Sequence, residues 1–366
     1  MKALKIALLC VLALAVLALA VFTAVYFTRI RSMSSIEKLT DYDEYNLYRM
    51  DVKYDYRVDD VIAAGITDTQ SFINAVLADA LPLLPVHIDA PDFACSAFTM
   101  VTPDGRTLMG RNYDFKNNTS ALLVYCAPKG GYRSVATAAL DNVGANDATG
   151  SLAARMACLA APYMCLDGMN EKGLSIAVLT LDSEPTDQRT GKDVIATTLA
   201  IRLVLDRAAT TEEAVALLER YDMYASSGRD YHFYITDASG DGRVVEYDCD
   251  SPARTLTATP SDAVTNFFVM YIDNVLPNQK NGVYGHGRER YDAILDVMSA
   301  NENALDEDAA WEALIAAAQA PKEGDVTSNT QWSIVYDDDE LTAQIAIRRD
   351  FDNIIGYALD SRDITR

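Results

Sequence analysis

The sequence predicts an α+β fold of several β-hairpins and two helix pairs, behind an N-terminal apolar helix of membrane-spanning length. Three observations carry that expectation. Short runs rich in β-branched and aromatic residues recur on either side of Gly-, Asp- and Pro-containing turns, which marks antiparallel hairpins. Two stretches of helical periodicity, 193–221 and 285–319, stand between strand sets, which suits a layered α+β chain. The run from Ile6 to Phe27 is almost unbroken in its apolarity, and about 20 such residues span a bilayer core.

Half of the 366 residues are hydrophobic, so a full core can be built. The net charge of −22 argues against nucleic-acid binding, which needs a basic face. Six cysteines (10, 95, 126, 158, 165 and 249) form no CxxC, and the three histidines cluster with nothing, so no zinc site is expected. Cys158 and Cys165 are read either as a pair or as buried free thiols.

Lys2 and Lys5 precede the apolar run, and Arg29 and Arg31 follow it. Ala18-Leu19-Ala20 resembles a signal-peptidase site, yet apolar residues continue past it and secretory apolar regions are shorter. Residues 1–31 are therefore read as a cytoplasmic tip and transmembrane signal anchor. That makes the chain a single-pass cell-membrane protein with the rest of the chain outside the cytoplasm; a secreted or shed protein is the alternative.

Residues 32–43 read as a polar linker. From Tyr48 to Val58 apolar and charged residues nearly alternate, as in a strand with one apolar face. Thr67 or Asp68 caps a helix that places Phe72, Ile73, Val76, Leu77 and Leu81 on one side, and Pro82 and Pro85 end it. Residues 32–94 are thus a linker and a structured segment, which the resemblance given below makes a pro-segment, and its apolar faces need cover from the domain at 95–366.

Residues 95–115, CSAFTMVTPDGRTLMGRNYDF, form a hairpin about Pro103-Asp104-Gly105. It brings Arg111, Asn112 and Asp114 back beside Cys95. A thiol beside a fixed cation and a carboxylate is a nucleophile site in outline. By pattern alone the unit is equally a surface hairpin with Cys95 as a small buried hydrophobe. Strands follow at 122–126 and 132–138. Residues 152–159 are a short helix or a buried loop edge. Residues 166–174, LDGMNEKGL, form a tight turn into a strand through Thr180. Residues 193–208 form a long buried helix, and Thr210 with Glu213 is a capping box for the next. Strands at 231–236 and 243–247 flank the turn DASGDG. A strand ends at Asn266, helices occupy 285–298 and 301–319, and 330–336 with 341–347 form a closing hairpin.

Cys95 followed by Gly-Arg-Asn-x-Asp-Phe, with Arg111 sixteen and Asp114 nineteen residues on, resembles the start of the mature chain in the choloylglycine hydrolase family. That family includes bile salt hydrolases and penicillin V acylases and is related to the penicillin acyltransferase-like C45 peptidases. The string DGMNEKGL resembles its second signature, and the likeness runs over roughly residues 95–360. The resemblance implies the four-layer αββα sandwich of N-terminal-nucleophile hydrolases and an autocatalytic cut before Cys95. It also implies hydrolysis of a small linear acyl amide through an acyl-thioester, with no cofactor and no metal. Cys95 is the implied nucleophile and its freed α-amine the base. Asp114 would hold that amine, and Arg111 with Arg290 would set charge about the thiolate. Asn266 would hold the oxyanion with a backbone N–H near Thr180. Thr180 stands where the family has Asn or Tyr, and Arg290 fits the family's arginine better than Arg288. An acyltransferase with an amine acceptor, and an inactive anchored binding protein, are the alternatives; acyl specificity and oligomeric state are not legible.

Overall fold

A computed structural model describes residues 2–82, 94–115, 118–280, 282–321, 329–360 and 364–365. The apolar run forms helix α1 (Lys2–Ser34), long and apolar enough to cross a membrane by length and composition. Its last turns dock on the body: Arg29 donates to the carbonyls of Ala80 (2.8 Å) and Asp79 (2.5 Å), and Met33 O accepts from Arg155 (2.9 Å). The expected linker is ordered instead, because Ile36 and Leu39 are buried where the chain turns through β1 (Glu37–Lys38) into β2 (Leu47–Asp51). The strand expected to reach Val58 stops at Asp51. Tyr54 and Tyr56 leave the sheet and turn inward, donating to Leu159 O (2.5 Å) and Asp206 (2.8 Å). Helices α2 (Val58–Ala63) and α3 (Thr69–Ala80) follow, and Asp68 caps α3 by accepting from Ser71 N (2.7 Å). Pro82 follows α3, whereas Pro85 lies outside the described residues.

The expected hairpin is β3 (Ala94–Val101) and β4 (Thr107–Asp114), with Gly105 at φ +91° in its turn. Next come β5 (Ala121–Cys126), β6 (Ser134–Ala139), α4 (Leu152–Ala157), β7 (Cys165–Asn170) and β8 (Leu174–Leu181). The turn expected over 166–174 is shorter than its composition suggests. Asn170 Oδ1 accepts from Lys172 N (3.0 Å) and Leu174 N (3.3 Å), so the reversal takes only residues 170–173 and leaves Asp167 inside β7. The long helix expected from residue 193 is preceded by β9 (Val194–Ala196), which pairs in parallel with a later segment; α5 (Thr197–Arg207) and α6 (Thr211–Leu218) follow.

The remaining elements are β10 (Asp222–Tyr224), β11 (Asp230–Asp237), β12 (Arg243–Tyr247), β13 (Leu256–Pro260), β14 (Ala263–Val264), α7 (Arg288–Ala300), α8 (Glu307–Ala317), β15 (Thr330–Asp337), β16 (Thr342–Ile347), β17 (Ile355–Ala358) and β18 (Ile364–Thr365). A nine-stranded sheet runs β1-β2-β5-β6-β7-β8-β11-β12-β13, and a seven-stranded sheet runs β14-β3-β4-β15-β16-β17-β18. The sheets face each other: Tyr234 of β11 donates to Thr99 of β3 (2.9 Å), and Trp332 of β15 donates to Asp167 of β7 (3.1 Å). Helices α7 and α8 cover the outer face of the smaller sheet, where Phe98, Met100, Leu108, Ile294 and Leu314 share one apolar cluster. Helix α5 lies on β7 and β8 of the larger sheet. The result is the α+β sandwich with helices outside both sheets. The six cysteines are free thiols, Cys158 and Cys165 among the buried ones.

Candidate active site

Cys95 is the second residue of β3 and is fully buried. Its neighbours follow from register. β14 pairs Val264 with Ala97, so continuing two residues brings Asn266 abreast of Cys95. There Cys95 N–H donates to Asn266 Oδ1 (3.1 Å), and Asn266 Nδ2 donates to Thr180 O at the end of β8 (2.8 Å). Arg290, in the first turn of α7, donates to Cys95 O (2.9 Å) and to Asn266 Oδ1 (2.6 Å). Two donors on Oδ1 fix which way that amide faces. Gly287 makes room for the arginine: it sits at φ +90° at the head of α7, and a Cβ there would lie 2.6 Å from Arg290 Nη2.

Arg111 and Asp114 lie three residues apart on β4 and so point to opposite faces of the sheet. Arg111 faces the other sheet, fully buried. Its Nε lies 2.6 Å from Asp167 Oδ2, and it donates to the carbonyls of Asn112 (2.8 Å) and Val178 (3.1 Å). The Val178 carbonyl lies just past the point where the β7–β8 pairing ends, at Asp167 and Ala177. Asp167 also accepts from Tyr336 Oη (2.7 Å). Asp114, on the helix side, accepts from Thr330 Oγ1 (2.6 Å), Gln319 Nε2 (2.7 Å) and, at 3.4 Å, Arg290 Nη1. Burial pushes the Cys95 thiol pKa up; Arg111 opposes the rise and the Asp114 carboxylate adds to it. Burial likewise raises the Asp114 pKa, against Arg290, Thr330 and Gln319.

Cys95, Arg111, Asp114, Thr180, Asn266 and Arg290 therefore gather in one buried cluster. Arg288 turns away to Asp292 (2.7 Å) and the carbonyl of Ile272 (3.1 Å). Two details differ from the expected arrangement. The Cys95 N–H goes to Asn266 rather than to the Asp114 carboxylate. Asn266 presents its oxygen to that N–H, while its nitrogen meets the carbonyl of Thr180, whose own buried Oγ1 has no hydrogen-bond partner among the described residues. Sequence reasoning did not place Asp167, Gln319 or Thr330 here. Asp167 lay inside the second signature string, where turn-forming neighbours masked it.

The family model "Linear amide C-N hydrolases, choloylglycine hydrolase family" matches residues 95–252, beginning at Cys95 itself. No curated protein sequence matches significantly. Among solved structures, penicillin V acylase from Agrobacterium tumefaciens is 18% identical with a TM-score of 0.53, over 72% of this chain and 86% of that one. Two variants of the conjugated bile acid hydrolase from Clostridium perfringens are 16% and 17% identical, with TM-scores of 0.54 and 0.52. They align over 74% of this chain and 95% and 96% of theirs. At these identities the structures speak to the fold. They also correct the expected localisation: the matched enzymes are soluble, not single-pass membrane proteins, so the reading as an anchored cell-membrane protein does not hold. The family match starts at the buried cysteine and the fold is that of the matched acylase and bile acid hydrolase, so residues 95–252 are similar to the choloylglycine hydrolase family and the chain is a cysteine-nucleophile hydrolase of linear amide C–N bonds.

Proposed function

We propose that Cys95 first opens the chain ahead of itself and then uses the freed amine as its base. In the first step Sγ adds to the Ala94 carbonyl carbon, the Ala94–Cys95 C–N bond breaks, and the nitrogen takes the thiol proton. Water then hydrolyses the thioester, leaving an Ala94 carboxylate and an N-terminal cysteine. In turnover that α-amine, with an ordinary pKa of about 7.7–8.0, takes the thiol proton. Sulfur adds to the substrate carbonyl, the leaving amine departs with the proton, and water releases the acid from the acyl-thioester.

The observation that carries this reading is the grip on the Cys95 backbone: Asn266 holds its N–H and Arg290 its carbonyl, while Arg111 faces the sulfur. Asn266 Oδ1 is placed to accept from the freed amine and keep its lone pair toward the thiol. Asp114 fixes Arg290. The Thr180 N–H lies on the same strand edge as its carbonyl, beside Asn266, and serves the oxyanion; one such donor is worth roughly 2.7–4 kcal/mol. Substrates are small linear acyl amides.

Cleavage would leave residues 1–94 held without a covalent link. That fragment supplies β1 and β2 to the nine-stranded sheet, with β2 paired in parallel to β5, and buries Tyr54, Tyr56, Phe72 and Val76 in the shared core. It stays bound as a second chain, and the apolar length of α1 supports a role in export of the precursor. N-terminal sequencing of purified wild type beside Cys95→Ala, with hydrolysis of an acyl amide followed in both, tests the proposal. Wild type should begin in part at Cys95 and turn over; the variant should be uncut and inactive. An uncut wild type that hydrolyses amides would overturn it.

A further inference from the structure

His232 and Glu246 are fully buried, and no step above uses them. They face each other across β11 and β12, one pair beyond Phe233 and Val245, with His232 Nδ1 3.1 Å from Glu246 Oε1. The other ring nitrogen, Nε2, lies 2.9 Å from the carbonyl of Thr265. A carbonyl only accepts, so Nε2 carries a hydrogen. The Glu246 carboxylate accepts from two backbone groups, Val269 N (2.7 Å) and Met270 N (3.0 Å). Together the pair grips the backbone at residue 265 and at residues 269–270, one on each side of Asn266.

Two more bonds tie the same segment to the base of α7. Thr265 Oγ1 donates to Gly287 O (2.9 Å), and His286 N donates to Asn266 O (2.9 Å). A buried ionisable pair is costly to desolvate, and apolar residues of similar volume would stabilise a core at least as well. What this pair provides is position. It fixes a loop that follows β14 of the smaller sheet to side chains of the larger one, and that loop carries the amide that meets Cys95. We infer that His232 and Glu246 are positioning residues that hold Asn266 against Cys95 during acyl transfer. The inference rests on the reading of Asn266 as part of the site.

The test follows hydrolysis of a chromogenic acyl anilide by the full processed chain, with rates expressed per cut chain from intact mass. His232→Leu removes the donor to Thr265. It should lower kcat by about 10²-fold with KM little changed, since displacing a catalytic group by about 1 Å costs on that order. His232→Gln offers an amide N–H to the same carbonyl and should recover most of the loss, which a packing role alone would not give. Should His232→Leu fail to fold, Glu246→Gln decides: its amide presents a donor where a backbone N–H needs an acceptor, and kcat should fall at least about 10-fold at constant KM. A folded His232→Leu or Glu246→Gln with wild-type kcat overturns the inference, as does a His232→Gln that is folded yet no better than Leu. Turnover by Cys95→Ala would instead sink the cysteine mechanism, so the two failures are distinguishable.

Discussion

Asp167→Ala isolates the interior half of the site. The carboxylate is fully buried, pairs with Arg111 Nε at 2.6 Å, and accepts from Trp332 Nε1 and Tyr336 Oη. Alanine strips the counter-charge from a guanidinium that is itself fully buried. Removing one partner of such a pair costs about 3–5 kcal/mol. The orphaned indole and phenol donors add to that, though not additively. A loss of at least about 3 kcal/mol is large against a net stability of about 5–15 kcal/mol. At about 2 °C per kcal/mol for a large body, Tm should fall by about 6 °C or more. Urea unfolding and calorimetry in a Cys95→Ala background measure it, since every chain is then uncut. Arg111→Met combined with Asp167→Ala should be less destabilised than the sum of the single changes, because no charge is left stranded. A single-variant loss under about 1 kcal/mol, or strict additivity in the double, would show that Arg111 does not depend on Asp167.

Three further outcomes are expected. Burial holds the Asp338 carboxyl well above the usual carboxylate range, and its Oδ2 has no hydrogen-bond partner among the described residues. The folded state therefore keeps a proton that the unfolded chain releases near pH 3.9, and stability falls as pH rises from there toward the raised folded value. Asp338→Asn should be more stable than wild type in urea at pH 7, with the advantage vanishing near pH 4 and below. Tyr56→Phe deletes the bond from the N-terminal segment to Asp206; it should cost about 0.5–1.5 kcal/mol and release the cut fragment at lower urea in gel filtration. Arg290→Ala should lower kcat by about 10²-fold, since it frees both the Cys95 carbonyl and Asn266, whereas Arg288→Ala should leave kcat within about twofold of wild type.

What the sequence made legible was what local pattern carries. The 95–115 hairpin stands in the structure as read, whereas the strand read as ending at Asn266 stops at Val264 and Asn266 lies in the bend that follows. Elements whose cause lies far along the chain were not legible. β9 is a strand only because residues 222–224 return to pair with it in parallel. Residues 32–43 are polar in composition, yet Ile36 and Leu39 find cover in the shared core. Tyr54 and Tyr56 have strand spacing but spend their hydroxyls on residues more than a hundred positions away. The DGMN string looked like a turn because Asp and Gly favour turns. Gly168 is in a strand for another reason: a Cβ there would come within 2.7 Å of Ala136 Cβ. Glu246 sits in the strand RVVEY, where alternation alone cannot tell a solvent-facing glutamate from one that caps a distant backbone.

The three-residue spacing of Arg111 and Asp114 now has a physical reason. On a strand it sends the two side chains to opposite faces. One feeds a network between the sheets, Arg111 with Asp167, beside the sulfur. The other feeds a network under the helices, Asp114 with Arg290 and Thr330, which reaches the Cys95 backbone and Asn266. The first network sets the charge seen by the thiol and the second sets where its nitrogen points. Changes in the two should therefore fail differently. Arg111→Met with Asp167→Asn takes a cation from beside the thiol without stranding a carboxylate. Because Arg111 pulls the thiol pKa down, its loss must raise that pKa further, and the acidic limb of kcat/KM should move to higher pH. Arg290→Ala should lower kcat at every pH and leave that limb in place. A pH–rate profile of the first variant that superimposes on wild type would refute the division of labour between the two faces of β4.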